Sequence, residues 1–546
     1  DFYQKTALNK AKSYILEKGE GKLLLNKQPF FTELRIEADI SDIDYKLPTR
    51  MDLISSLDAL HEDMYFVGSD FFKYLGIKMS GASAAEPGLI LPVLRKRIGK
   101  GPRVVATIKK ELYDEPKLFV KGFDNILQKN CTGNVKIDSI EYNDNGVTVN
   151  IKADNKSFGL LSKYVELVNE KSIKDITDES IMTVSIENES TGQKAVINKS
   201  KTNVKKSKKP LDESKINTDS LIGYDDYIAL MEELKDVKHL KTYAAAKSYQ
   251  GRDVYTIELF DEELNDIVSK AKLINYKPVC FINSRHHANE ISSTNAAFDL
   301  IKHLLKDESY KHYLEKLNIV IIPFENPDGG YIHYELQKDN PEWKFHVARF
   351  NALGKETTSE QFNMETKHTE TLAFTRNWYK WLPDVVTDNH GVPSHEWDQQ
   401  FSGYVSPSFK GFWLPRALYY GIFWYMTDEE YTENNVGVCK IIQDKLSDLV
   451  NADEEMTKWN FDWADRFEKY AHAWLPKMFP ADYYKNLIYY WVPFDTKKVK
   501  KYSSHRYPNI TCLDWTTEVS DETATGDYLD RKSHTSELQS HSFISY

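Results

Sequence analysis

The period of the apolar positions changes along the chain. Between residues 51 and 78, Leu53, Leu57, Leu60 and Met64 recur at three- to four-residue steps, which predicts a helix face. Gly- and Pro-punctuated stretches such as Glu86-Pro87-Gly88 follow. From Leu118 to Ile197 the period shortens to two, as in Val147-Thr148-Val149-Asn150-Ile151-Lys152, with turn signals such as Asn143-Asp144-Asn145-Gly146 between runs. That predicts a β-rich segment. Beyond about residue 216, strand-like apolar runs alternate with helical spacing. Pro278–Asn283, Asn318–Phe324, Asp384–Thr387 and Asn509–Thr517 read as strands, and Ile291, Ala296, Leu300, Ile301, Leu304 and Leu305 as a helix after the first. Alternation of this kind predicts an α/β domain whose sheet is covered on both faces.

One segment breaks the pattern. Asn198–Pro210 holds six lysines and almost nothing apolar, so it cannot bury itself. It reads as a solvated linker, with an anionic-polymer tail as the alternative. At roughly 150 residues per domain, 546 residues allow about three or four domains. We divide them into a helical and mixed region (1–115), a β-rich accessory segment (116–197), the lysine-rich linker (198–217), an α/β domain (218–534) and a polar tail (535–546).

Composition narrows the function. A net charge of -11 repels nucleic-acid phosphates. No apolar run reaches the ~18–20 residues of a membrane span. Cys131, Cys280, Cys439 and Cys512 form no CxxC pair, so any metal must be held by histidine and carboxylate. The first residue is Asp1, so a removed leader is an alternative to a cytoplasmic chain. Oligomeric state is not specified.

Candidate chemistry starts at His287-Ala288-Asn289-Glu290. A His and a Glu three apart at a strand-to-helix turn can aim at one point, and a catalytic zinc takes three such ligands plus water. The bare HxxE spacing also occurs at His312/Glu315, in a charged helical stretch, and at His534/Glu537, in the tail. Only His287/Glu290 follows an apolar strand and opens an amphipathic helix, and ligands of open α/β sheets gather at carboxyl ends of strands. His390, in Asp384-Val385-Val386-Thr387-Asp388-Asn389-His390-Gly391, offers a third ligand from another strand end. His395 is its rival, but His395-Glu396-Trp397-Asp398-Gln399 ends in Gln and lacks the helical HExxH motif. Glu518, near the end of the last β-prone run, is the candidate general base, with Glu522 behind it.

Together these residues resemble the zinc carboxypeptidase family, peptidase family M14. The resemblance includes Ser248-Tyr249-Gln250-Gly251-Arg252, similar to the family's S-x-x-G-R turn, and Asn326-Pro327-Asp328-Gly329, similar to its NPDG turn. It implies a mixed, mostly parallel eight-stranded sheet with helices on both faces, next to an N-terminal α+β or β-rich region. It implies one zinc per chain on His287, Glu290 and His390, and Glu518 as the base. The family's HxRE stretch has Asn289 in place of Arg. Its substrate-gripping Asn-Arg pair is matched most nearly by Ala348-Arg349-Phe350-Asn351, so Arg349 and Asn351 are the candidates there, with Arg376 as rival. The family's active-site Tyr has three candidates, Tyr490, Tyr502 and Tyr507, and Tyr507 is carried as the substrate contact. Pro393-Ser394-His395-Glu396-Trp397 and Phe412-Trp413-Leu414-Pro415-Arg416 resemble a divergent bacterial subgroup, as does Leu57-Asp58-Ala59-Leu60-His61-Glu62-Asp63.

The expectation is a zinc metallopeptidase acting on peptide or peptide-like substrates. The alternatives are a zinc deacylase or amidase on N-acyl amino acids or cell-wall peptides, and a non-catalytic binding relative.

Overall fold

The computed structural model describes residues 1–41, 43–49, 52–110, 133–143, 146–170, 181–198, 208–261, 274–392, 417–426, 430–470, 481–491 and 501–520. His395, Glu522, His534/Glu537, the segment Phe412–Arg416, most of the lysine-rich run and the polar tail lie outside them.

The N-terminal part packs helices on a three-stranded sheet. Helix α1 (Leu8–Lys18) precedes β1 (Glu33–Ile40), a hairpin of β2 (Lys46–Thr49) and β3 (Asp52–Ser55), and helix α2 (Ser56–Ser80). Strands β4 (Leu89–Lys96) and β5 (Arg103–Lys109) flank β1, parallel and antiparallel. The Ser55 hydroxyl accepts the Asp58 N–H and starts α2, and Gly81 at φ 76° ends it. Of the four apolar positions read as one helix face, Leu53 therefore belongs to β3 and Leu60 is exposed, while Leu57 is buried and Met64 packs on the core.

The next unit carries β6 (Val135–Asn143), β7 (Gly146–Ala153), β8 (Ile181–Asn188) and β9 (Lys194–Asn198) in that spatial order. It also holds a helix that the two-residue period hides, α3 (Asn155–Asn169). Asp154 caps it by accepting the Ser157 N–H at 2.8 Å, so the segment is α+β.

Among the described residues, the large domain is built on a nine-stranded sheet. Its strands are β10 (Leu240–Lys247), β11 (Asp253–Leu259), β12 (Val279–Ser284), β13 (Asn318–Ile322), β14 (Val385–Val392), β15 (Tyr419–Trp424), β16 (Asp482–Tyr484), β17 (Leu487–Trp491) and β18 (Leu513–Ser520). The spatial order is β10-β11-β13-β12-β14-β18-β15-β17-β16. The sheet is mixed, as expected, with one strand more than eight. Its centre β13-β12-β14-β18 is parallel, but antiparallel pairs on both flanks make the whole evenly mixed. The extra edge strand β16 forms because Lys485 and Asn486 take positive φ (46° and 69°) and close a tight hairpin.

Alternation along the strands separates two cores. Cys280 and Ile282 of β12, with Ile319 and Ile321 of β13, face helix α5 (Ser292–Lys306) through Phe298, Leu300 and Ile301. Val279, Phe281, Val320 and Ile322 face the opposite way, onto Phe374, Trp378 and Trp381 of helix α8 (Leu372–Trp381). A strand buried on both faces reads as an unbroken apolar run, which is why these strands were legible.

Candidate metal centre

The parallel centre of the sheet delivers side chains to one edge. His390 of β14 is in register with Glu518 of β18, and Ser284, the last residue of β12, with Asn389. Side chains of paired residues share a face, so His390 and Glu518 point the same way, as does Asp388 two residues earlier on β14. Asn389 faces the other side, where its amide contacts Ser284 Oγ at 3.5 Å and its carbonyl accepts from Thr517 Oγ1 at 3.2 Å.

Beyond β12 the chain turns sharply. Arg285 takes φ 57° and buries its guanidinium against Phe324, donating to the carbonyls of Ala288 (2.9 Å) and Ile222 (2.6 Å). The turn aims His286 and His287 at the strand ends, and Glu290 follows at the entry to α5. Three imidazoles meet there, with centroid separations of 4.0 Å (His286–His287), 4.4 Å (His286–His390) and 4.7 Å (His287–His390).

Glu290 lies between two of them. Its Oε1 is 2.8 Å from His287 Nδ1 and its Oε2 is 3.4 Å from His390 Nδ1. Ligands about 2.0–2.2 Å from a tetrahedral ion lie about 3.3 Å apart, so this donor set suits zinc. Among the described residues, Glu290 Oε2 is buried without a hydrogen-bond partner, which fits a ligand oxygen. The far nitrogens of both rings face carboxylates. His390 Nε2 is 3.1 Å from Asp388 Oδ2, and His287 Nε2 is 3.7 Å from Glu356 Oε1. Carboxylates behind ligating histidines fix ring orientation and raise basicity. Asp388 also reaches His286 Nδ1 through Oδ1, at 3.0 Å.

The electrostatics follow from burial and charge. Burial, reinforced by the Arg349 cation, lowers His287 to about 4. At His390 burial works against protonation, but Asp388 and Glu290 outweigh it and push the ring up to about 10. Burial likewise opposes ionisation of Glu290, yet His287 and His390 hold it down at about 2. Against burial, His286 and His390 hold Asp388 well below the ordinary carboxylate range, and His287 and His286 do the same for Glu356. The centre is thus a buried cluster in which imidazoles hold the carboxylates ionised.

The two turns of the sequence lock together beneath it. Asp328 accepts from Ser248 Oγ (2.7 Å), Gln250 N–H (3.0 Å) and Arg252 Nη1 (2.7 Å). Asn326 donates to the carbonyls of His286 (3.1 Å) and Arg349 (3.3 Å), tying the histidine turn to the arginine loop. A Cβ on Gly329 would lie 2.5 Å from the Phe350 carbonyl, so only glycine allows that approach.

The structure brings His287, Glu290, His390, Glu518 and Arg349 together. Glu518 Oε1 is 4.0 Å from His390 Nδ1, and Arg349 Nη2 is 3.0 Å from His287 Nε2. It places three other candidates elsewhere. Asn351 is fully buried and spends its amide inside its own loop, donating to His368 (2.6 Å) and Glu370 (2.7 Å) and accepting from Leu353 and Lys355 (3.0 Å each). Arg376 donates to the Ala245 carbonyl at 2.7 Å and braces α8 to β10. Tyr507 stacks on Trp378 at 4.4 Å and shares a hydroxyl contact with Tyr379, in the α8 core. Tyr502 stacks on Trp424 at 4.4 Å, and burial with the carboxylates of Asp388, Asp514, Glu356 and Glu518 raises its hydroxyl well above the usual range. Tyr490 packs edge-on against Tyr420.

Sequence reasoning missed His286, Asp388 and Glu356. The first two had a signal, adjacency to His287 and two-residue alternation from His390. Glu356 sits in an irregular loop and had none. A second donor group, Glu86, Glu360 and His368, is filled otherwise. Lys355 and Lys367 pair with its carboxylates, and the Asn351 amide donates to His368 Nδ1.

Residues 227–436 match the family model for zinc carboxypeptidase, Peptidase_M14. Among curated proteins, none matches the chain in sequence. Solved structures similar to it include a metallo-carboxypeptidase from Burkholderia cenocepacia, at 13% identity over 59% of this chain and 69% of that one, TM-score 0.37. Carboxypeptidase A from Helicoverpa armigera matches at 13% identity over 62% and 77%, TM-score 0.37. A Pseudomonas aeruginosa metallo-carboxypeptidase, in complex with (2-guanidinoethylmercapto)succinic acid, matches at 13% over 59% and 68%, TM-score 0.35. No helix among the described residues is long and apolar enough to cross a membrane.

Proposed function

We propose that the protein is a zinc-dependent peptidase that hydrolyses amide bonds in the manner of a carboxypeptidase, with one zinc held by His287 Nδ1, Glu290 and His390 Nδ1. The observation that carries this reading is the convergence of those donors with Glu518 in register opposite His390. A zinc ion there supplies Lewis acidity toward the scissile carbonyl and makes water a better nucleophile.

The chain's own residues do the rest. Glu518, buried at the sheet edge, takes a proton from the attacking water and passes it to the departing amine, so the carboxylate is restored each cycle. Asp388 and Glu356 hold the two imidazoles in orientation. Arg349 presents a fixed cation beside His287, fit for a terminal carboxylate or the developing oxyanion. Tyr502 closes the wall next to these carboxylates. Because Asn351 is spent inside its loop, the carboxylate grip rests on Arg349 rather than on an Asn-Arg pair. That observation favours, as the second reading, a zinc amidase or deacylase on N-acyl amino acids or cell-wall peptides, which does not depend on a paired carboxylate grip.

Mass spectrometry of a peptide library digested with the full chain, with and without chelator, tests both. Chelator-sensitive loss of C-terminal residues supports the carboxypeptidase; release of acyl groups with intact C-termini supports the second reading; digestion unaffected by chelator refutes zinc hydrolysis. Glu518→Gln is expected to lower kcat by about 10²–10⁴-fold while zinc stays bound. Full activity in that variant would move the base elsewhere.

A further inference from the structure

The N-terminal motif Leu57–Asp63 lies on α2, and one stripe of that helix grips the loop that carries Arg349. Asp58 accepts the backbone N–H groups of Lys344 (2.9 Å) and Phe345 (3.3 Å) through its two oxygens. His61 meets the Phe345 ring edge-on at 5.6 Å. Glu62 forms an ion pair with Lys344, both side chains fully buried. Tyr65 stacks on Phe350 at 4.7 Å and donates to the Gly354 carbonyl at 3.2 Å. Positions 58, 61, 62 and 65 form a single helical face. The gripped segment begins at Phe345, whose φ is 46°, and Arg349 follows one short 3₁₀ turn later. On its other side the loop is tied to the histidine turn by Asn326, through the Arg349 carbonyl.

A loop held at its entry by two carboxylates and past Arg349 by a stacked aromatic has little freedom to move that guanidinium. We propose that α2 is a fixed wall of the active site, with Asp58 and Glu62 as positioning residues that set Arg349 against His287 and so fix its hold on a substrate's terminal carboxylate. This rests on the reading of Arg349 given above. On this view the N-terminal part is not a detachable segment: its removal takes the Glu62 carboxylate away from the buried Lys344.

The test uses the zinc-loaded full chain. Calorimetry measures binding of an N-acetyl amino acid and of its C-terminal amide, and steady-state kinetics measures kcat and KM on a peptide with a free C-terminus. The first variant is Glu62→Gln with Lys344→Met, which removes both charges together; the second is Asp58→Asn, which keeps size and weakens the acceptor. Leu446→Ala, a core truncation in the large domain, serves as a destabilised control. Wild type is expected to bind the carboxylate roughly tenfold or more tightly than the amide, as a charge-assisted fork provides. Both α2 variants should narrow that ratio about tenfold, chiefly through KM, with zinc content unchanged, whereas the control should keep the ratio despite a lower Tm. If wild type discriminates and the α2 variants discriminate equally, the inference falls and the Arg349 reading stands. If wild type itself does not discriminate, both fall, while zinc content still reports the metal centre.

Discussion

Mild acid should destabilise this protein through two buried histidines. His61 of α2 and His333 of the helix Pro327–Asp339 both contact the ring of Phe345, at 5.6 and 6.0 Å, and both are fully buried. Burial, helped by Lys344 and opposed by Asp58, lowers His61 to about 4. Burial, helped by Arg285 and again opposed by Asp58, lowers His333 to about 3. The sign follows from linkage. A histidine whose folded pKa is depressed binds fewer protons folded than unfolded, so its stabilising share is present above the unfolded value near 6.5 and is lost as pH falls below it. Between pH 7.5 and pH 5 each site forfeits about 2 kcal/mol, or about 4 kcal/mol together, a large part of a typical ~5–15 kcal/mol stability.

Urea unfolding followed by tryptophan fluorescence at pH 7.5, 6 and 5 measures the loss. Other histidines titrate as well, so the informative quantity is the difference between wild type and the double variant His61→Leu/His333→Leu. The variant should lose about 4 kcal/mol less than wild type over that interval. Equal losses in the two proteins would refute the reasoning, because the buried rings would then have partners that stabilise their charged form.

Two further predictions concern the centre and its scaffold. Asp388→Asn keeps the volume but removes the negative charge behind His390, so zinc affinity, measured by competition with a chelator, should fall about 10–100-fold; an unchanged affinity would show that Asp388 does not orient the ligand. Gly330→Ala places a Cβ 2.0 Å from the buried Phe324 ring, on which Arg285 also packs. It should cost about 1–3 kcal/mol of stability in denaturant titration, and a neutral result would mean that the ring has room to move.

The sheet was legible in the sequence where burial on both faces left unbroken apolar runs, as at Val279–Ser284 and Asn318–Ile322. It was misread where the site begins. The polar run Asp388-Asn389-His390-Gly391 looks like a turn, and the strand was ended at Thr387, yet β14 continues to Val392. It can do so because its polar side chains satisfy one another across the sheet edge, Asp388 with His286 and His390, Asn389 with Ser284 and Thr517. Local pattern fails at such places because function has replaced hydrophobicity as the reason for the residue.

The substrate contacts failed for a different reason. Distance in sequence from Glu518 does not separate Tyr502 from Tyr507, since the single helical turn Ser503–Arg506 between them rotates one toward the carboxylates and the other onto Trp378. Asn351 sits two residues from Arg349, but their backbones differ: Arg349 ends a 3₁₀ turn and leans on His287, while the Asn351 side chain closes the next bend by accepting two N–H groups. Of the two polar residues in the motif, only Arg349 lies against His287. The same physics explains why the Leu57–Asp63 stretch could be noticed but not interpreted. Its acidic residues are complements to Lys344 and to two backbone amides some 280 positions away, a partner that helical spacing alone cannot name. A fully buried carboxylate is costly enough to demand a partner from elsewhere in the fold.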